Sequence, residues 1–458
     1  MRRSLLVVVV ALTLPALAVP GVVAGDVQSE ENGTNPCVGT MEQQPDENTV
    51  VSIQGTRLTD DGYEKWPAML MSYEPDGSFD WAHNASLRDR WFAYDVDRTP
   101  DGDLLFVTTE GGNTKIGKLD PERNEYEWVR DFDGDPDDES TPQIDDAHDA
   151  DRLNEHEIVI ADKGEGHERL LVYNVTSDEV VWEWRFENHP EQFPESGGGP
   201  EGDWTHVNDV DPVGDHLFMI SPRNFDKVVF VNRTTGDVEE DLTLGEDDNY
   251  DILYEQHNPD HLRGPDGERT ILVGDSENDR VVEYAYDAEA NEWEQVWAVT
   301  GLNEPRDADR LPNGNTLVSD RMGHRTVEIT PEGRIVWEVY TPYETYDAER
   351  GGPGSEGPTM REQGINGSYE VHNSANFTTE EIETCAAAMY DFAPSELPDD
   401  GNGNGGDGDD GDGGGGLIGG DGDGGNGGSG GSLAFVAGVA GALVVIVGGA
   451  ALAYRLRN

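Results

Sequence analysis

One short phrase recurs along this chain with a single polar position that keeps changing. It reads Ala147-His148-Asp149-Ala150-Asp151-Arg152-Leu153, then Gln256-His257-Asn258-Pro259-Asp260-His261-Leu262, then Pro305-Arg306-Asp307-Ala308-Asp309-Arg310-Leu311. Looser copies are Ala93-Tyr94-Asp95-Val96-Asp97 and Val207-Asn208-Asp209-Val210-Asp211. Each copy opens a unit of short apolar runs separated by turn residues. The cleanest unit continues through Pro312-Asn313-Gly314-Asn315, Thr316–Ser319, Arg325–Ile329, Thr330-Pro331-Glu332-Gly333 and Arg334–Val339. Asn-Gly and Glu-Gly between apolar runs are hairpin signals. The units repeat about every 50 residues with four strands each, which is the signature of a β-propeller rather than of a solenoid with its shorter repeats. Five full units and a partial copy near 48–82 predict an all-β chain with six blades. The alternative is seven blades, the last built from 340–380. A short helix is expected at Thr379–Tyr390.

Blade-inner strands line a propeller's channel, so the variable slot is expected to face a common axis. It brings together Tyr94, His148, Asn208, His257 and Arg306. His206, two residues before Asn208, is expected on the same strand face. Aligning Ile160–Lys163, Ile220–Arg223 and Val318–Arg321 puts Lys163, Arg223 and Arg321 at a second shared position. The Asp-X-Asp frame resembles calcium ligands. Because it recurs in every unit, whatever the slot holds, it reads as turn and strand-start scaffolding. Trp182, Trp184, Trp293, Trp297 and Trp337 are expected to pack between blades. The loop histidines His156, His167, His189, His216 and His324 are expected at the surface.

The charge balance bounds the partners. Among 458 residues, 95 are acidic and 30 basic, for a net charge of −65, and only five are lysine. This is a halophile-like acidic coat, screened in molar salt, where the Debye length is about 3 Å. With no basic stripe, nucleic acid is excluded as a partner. Residues 1–25 read as a signal peptide. Residues 26–390 read as the propeller domain, 391–432 as a Gly/Asp-rich disordered linker, and 433–454 as a single transmembrane helix. Arg455 and Arg457 put the short tail 455–458 in the cytoplasm and the propeller outside the cell membrane. Sequons at Asn32, Asn84, Asn174, Asn232, Asn366 and Asn376 are glycosylation candidates. Cys37 and Cys385 are expected to form a disulfide closing the ends of the domain, contributing about 4–5 kcal/mol in the chain-entropy model.

Histidine and arginine without a catalytic cysteine or a phosphate loop suggest anion chemistry. A neutral imidazole is a nucleophile near neutral pH, and arginine offers paired donors to a tetrahedral oxyanion. Sulfuryl or phosphoryl transfer through a histidine intermediate fits these parts and needs no cofactor or metal. Two other readings use the same residues: a non-catalytic surface propeller that binds a ligand or protein, and a metal- or quinone-dependent oxidoreductase.

Over roughly 90–340 the chain resembles the nucleotide-independent arylsulfate sulfotransferases of bacterial type. The resemblance is carried by Trp204-Thr205-His206-Val207-Asn208-Asp209-Val210-Asp211 with Ile220-Ser221-Pro222-Arg223, by Glu255-Gln256-His257-Asn258-Pro259, and by Leu311–Val318. It implies a six-bladed propeller that moves a sulfuryl group from an aryl sulfate to a phenolic acceptor by ping-pong kinetics. It also implies that His257 accepts the group, that His206, Asn208 and Arg223 serve sulfate binding and the leaving group, and that His148 is a further channel histidine. Tyr94, Arg306, Arg321 and Lys163 complete the expected substrate-binding set. Arg306 stands where the family offers a small hydroxyl residue. The family's closely spaced cysteine pair is absent.

Overall fold

Each copy of the phrase begins, or leads into, the innermost strand of an antiparallel sheet, and six such sheets are present. A computed structural model describes residues 35–393, apart from 60–61, 67, 86–91, 111–112, 133–141, 165–166, 201, 215, 265–266 and 353–355. The expected signal peptide, linker, membrane helix, cytoplasmic tail and Asn32 lie outside the described residues. Among the described residues, no helix is long and apolar enough to cross a membrane.

Four blades have inner strands at Phe92–Arg98, Asp149–Arg152, Val207–Pro212 and His257–Arg263, and a fifth starts at Pro305–Arg310. The sixth is assembled from both ends of the domain. Thr345–Glu349 forms its inner strand, and Thr49–Ile53, Met69–Tyr73 and Phe79–Asn84 supply the other three. The first strand, Val38–Met41, instead adds a fifth strand to the blade that ends at Ile335–Tyr340. The ring is thus closed twice, in opposite senses. The seven-blade alternative fails for this reason. The segment 340–380 yields one inner strand and an outer strand, Gly367–Glu370, paired in parallel with Glu292–Thr300.

The apolar core is divided as this architecture demands. The buried side chains fall into six clusters, one at each boundary between neighbouring blades. The blade-end tryptophans pack there and also latch. The indole N–H of Trp184 donates to Gly236 O at 2.9 Å, that of Trp297 to Pro331 O at 2.8 Å, and that of Trp337 to Pro75 O at 3.2 Å, each in an adjacent blade. The predicted turn at Asn313-Gly314 has Gly314 at φ 88°, a left-handed conformation that suits glycine.

Helix Thr379–Phe392 starts with a capping box between Thr378 and Glu381 and lays Met389 into the cluster at the closure. Cys385, in the same helix, is disulfide-bonded to Cys37 across 348 residues of sequence. Of the candidate glycosylation sites, Asn84 is buried and Asn366 and Asn376 are exposed. The Asn174 and Asn232 side chains accept backbone N–H groups two and three residues on.

Candidate functional site

In five of the six blades the pairing of the inner strand changes register near the slot, whereas Asp149–Arg152 pairs regularly with its neighbour. The shifts fall between Ala93 and Val96, Val207 and Val210, His257 and Asp260, and Pro305 and Asp307; in the closing blade, the partner strand shifts between Val51 and Ile53. A bulge interrupts the strict alternation of faces. The channel wall is therefore furnished by the slot residue and also by the frame acids that follow it.

The slot residues form a closed layer. Tyr94 stacks on His148 with ring centroids 4.0 Å apart, and His148 meets His206 edge-on at 5.0 Å. Tyr346 touches Tyr94, His148 and His257 at 4.9, 6.2 and 6.1 Å. None of these rings, nor Asn208 or Arg306, is more than 6 % exposed. Tyr346 was missed from sequence. It is the slot of a sixth copy, Tyr346-Asp347-Ala348-Glu349, whose closing glutamate in place of aspartate hid the frame.

His257 is the most tightly defined member. Its Nδ1 lies 3.0 Å from Glu255 O and 3.0 Å from Ser276 Oγ, while Ser276 itself donates to Pro305 O at 2.7 Å. A carbonyl only accepts, so the Glu255 contact favours the tautomer with the proton on Nδ1 and the lone pair on Nε2. Arg306 lies against this ring, with Nη1 2.8 Å from Nδ1 and in contact with Nε2. The Asn208 amide donates to Gln256 O at 3.0 Å and so braces the residue before His257.

His206 departs from expectation. It precedes its strand, at φ 45°, and does not share a strand face with Asn208. Asp146, Glu255 and Glu304, each two residues before a slot, are left-handed in the same way. This lead-in position is a rim of carboxylates with one histidine, whose Nδ1 lies 2.7 Å from Asp203 Oδ1.

The three aligned cations sit against that rim and bridge blades. Lys163 Nζ is 2.8 Å from Asp146 and 3.7 Å from Asp203. Arg223 Nη2 is 3.9 Å from Asp203 and 3.6 Å from Glu255. Arg321 is 2.6 Å from both Glu304 and Glu344. Burial would raise Asp146, but Lys163, then His148 and His206, hold its carboxyl well below the usual range.

On the other side of the slot layer the channel widens into a cavity of about 460 Å³, lined by the frame. Asp149 accepts the backbone N–H of Val210, Asp347 that of Val96 at 2.7 Å, and Asp307 that of Ala348 at 3.3 Å. The frame thus ties inner strands together, as scaffolding was expected to, and it also fills the cavity with carboxyl groups. Burial, reinforced by one another's charge, pushes Asp209, Asp307 and Asp309 well above the carboxylate range. Asp97 and Asp260 rise to about 7 and Asp211 to about 8, burial again being the main cause.

No protein-family model and no curated protein matches this chain. Solved structures do match, at low identity. A protein of unknown function from Bacteroides caccae is 14% identical, with a TM-score of 0.44, over 72% of this chain and 99% of that one. The periplasmic gluconolactonase of Pseudomonas aeruginosa is 12% identical, with a TM-score of 0.40, over 66% and 85%. Virginiamycin B lyase from Staphylococcus aureus is 10% identical, with a TM-score of 0.38, over 62% and 85%.

Proposed function

We propose that the slot layer is the active site of an extracytoplasmic, membrane-anchored aryl sulfotransferase working through a sulfo-histidine. The observation that carries this reading is the orientation of His257. The Glu255 carbonyl favours the proton on Nδ1, which leaves Nε2 as a nucleophile beside a guanidinium. Nε2 attacks the sulfur of an aryl sulfate as the sulfur–oxygen bond to the ring breaks. The phenolate that leaves takes a proton from His206 or His148. An acceptor phenol then returns its proton to that histidine, its oxygen attacks sulfur, and the nitrogen–sulfur bond breaks.

Arg306 now covers Nε2. A bound sulfuryl group gives its guanidinium a better, anionic partner, so donor binding draws Arg306 from the imidazole to the sulfuryl oxygens. Arg223 stands at the rim to assist. Tyr94 and Tyr346 supply aromatic walls for the two phenolic rings.

The test is phenol-dependent release of 4-nitrophenol from its sulfate ester by the full-length protein in molar KCl, with mass spectrometry of the His257 peptide. Turnover with a sulfuryl adduct on that peptide, both lost in His257→Asn, is expected. Unchanged turnover in His257→Asn overturns the nucleophile, and no turnover with any aryl sulfate returns the chain to the binding-propeller reading.

A further inference from the structure

The blade that carries His257 departs from its neighbours at one further position. Three other blades place a cation immediately after their second strand, at Lys163, Arg223 and Arg321, and rim carboxylates engage each of them. In the His257 blade, Val273-Gly274-Asp275-Ser276 aligns with Ile220-Ser221-Pro222-Arg223 and puts Ser276 at that position. The backbone agrees. Arg223–Phe225 and Ser276–Asn278 are both 3₁₀ turns, each followed by a left-handed aspartate, Asp226 at φ 50° and Asp279 at φ 53°. The same turn thus begins with a guanidinium in one blade and a hydroxyl in the next.

Ser276 is fully buried. Its Oγ donates to Pro305 O at 2.7 Å and lies 3.0 Å from His257 Nδ1. A carbonyl only accepts, so the single hydroxyl proton is committed to Pro305 and a lone pair faces the imidazole. This acceptor joins the Glu255 carbonyl at the same nitrogen. Arg306 competes with both. Its Nη1 lies 2.8 Å from Nδ1 and also contacts Nε2, and a guanidinium only donates. Two acceptors at Nδ1 favour the tautomer in which Arg306 meets a lone pair at Nε2. A lysine or arginine in place of Ser276 would bring a donor to Nδ1 and reverse that balance.

The turn is held from both sides. Asp275 accepts the backbone N–H of Tyr254, ahead of His257, at 2.7 Å, and Asp279 accepts that of Glu304, ahead of Arg306, at 3.1 Å. The strand leading into the turn presses on the Arg306 backbone, since a Cβ on Gly274 would lie 2.9 Å from Pro305 O and 3.2 Å from Arg306 O. We infer that Ser276 is a positioning residue for His257, setting the tautomer of the imidazole and tying the ring to the backbone that carries Arg306. The tautomer follows from this geometry alone, whereas its use by a nucleophile rests on the sulfuryl-transfer reading.

The test is ¹⁵N NMR of the full-length, histidine-labelled protein in molar KCl, at a pH where the imidazoles are neutral, with the His257 signals identified by their loss in His257→Asn. In the wild type, Nδ1 of His257 should be protonated and Nε2 bare. Ser276→Ala, its folding checked by melting temperature, should move the balance toward a protonated Nε2, and Ser276→Thr, which keeps the hydroxyl, should restore it. In Ser276→Ala, kcat for phenol-dependent turnover of 4-nitrophenyl sulfate should fall roughly 10–100-fold with KM little changed. A wild-type ring protonated at Nε2, identical His257 signals in wild type and Ser276→Ala, or a folded Ser276→Thr that behaves as Ser276→Ala would each overturn the inference. So would an altered tautomer with undiminished turnover. An altered tautomer in Ser276→Ala, with no aryl sulfate turned over even by the wild type, supports the role of Ser276 at the ring and overturns the sulfuryl-transfer reading instead.

Discussion

Arg306 reaches across a blade boundary to place Nη1 in contact with Nε2 of His257. Sequence alignment made these two residues equivalent positions of successive repeats. The fold makes them neighbours, because the slots of adjacent blades converge on one axis. In the proposed sulfuryl transfer, removing the guanidinium takes away an oxyanion donor and uncovers the nucleophile. Arg306→Ala is expected to lower kcat for sulfuryl transfer about 10²–10³-fold, with the melting temperature checked alongside. Arg306→Lys should recover only part of the loss, because a point charge does not reproduce the paired donors.

The ring closure rests partly on Cys37 and Cys385, whose bridge spans 348 residues. Cross-linking so long a loop restricts the unfolded chain by about 5 kcal/mol in the entropic model. Cys37→Ser, or reduction, should lower the denaturation midpoint while leaving the circular dichroism of the folded state unchanged.

Trp297 is fully buried between two blades, and its indole donates to Pro331 O at 2.8 Å. Trp297→Phe keeps an aromatic ring but orphans that carbonyl and leaves part of the indole volume empty. A loss of about 1–3 kcal/mol is expected from chemical denaturation. A loss within error would mean that the latch contributes nothing.

The channel acids set a pH dependence whose sign runs against ordinary acid denaturation. Asp97, Asp211 and Asp260 titrate at about 7, 8 and 7 when folded, raised mainly by burial, and near 4 when unfolded. The folded state therefore holds more protons, so their contribution is fully present below about pH 4 and is lost as pH rises through the folded values. The melting temperature should fall between about pH 5 and pH 9. A flat or rising profile would contradict this.

Much of the fold was legible because a propeller writes its architecture into local sequence. Each blade is one supersecondary unit, so turn residues and apolar runs announced five of them. The sixth was only half legible. Its inner strand, Thr345–Glu349, and its partners from Thr49 onward meet through ring closure alone, and Tyr346 went unnoticed with it. The placement of His206 was misjudged because strand periodicity was extended one residue too far, into a left-handed lead-in.

By itself, then, the sequence determined the repeat, the blade plan, the six candidate side chains at or beside the slot and the cysteine pair, since these are patterns of neighbouring residues. Tertiary structure alone decided which way the Asp-X-Asp frame faces. Alternation predicts one face per residue, but a bulge in the pairing near the slot of five blades lets consecutive side chains share the channel. That is why a motif read as scaffolding proves to be both the latch between inner strands and the lining of an acidic cavity.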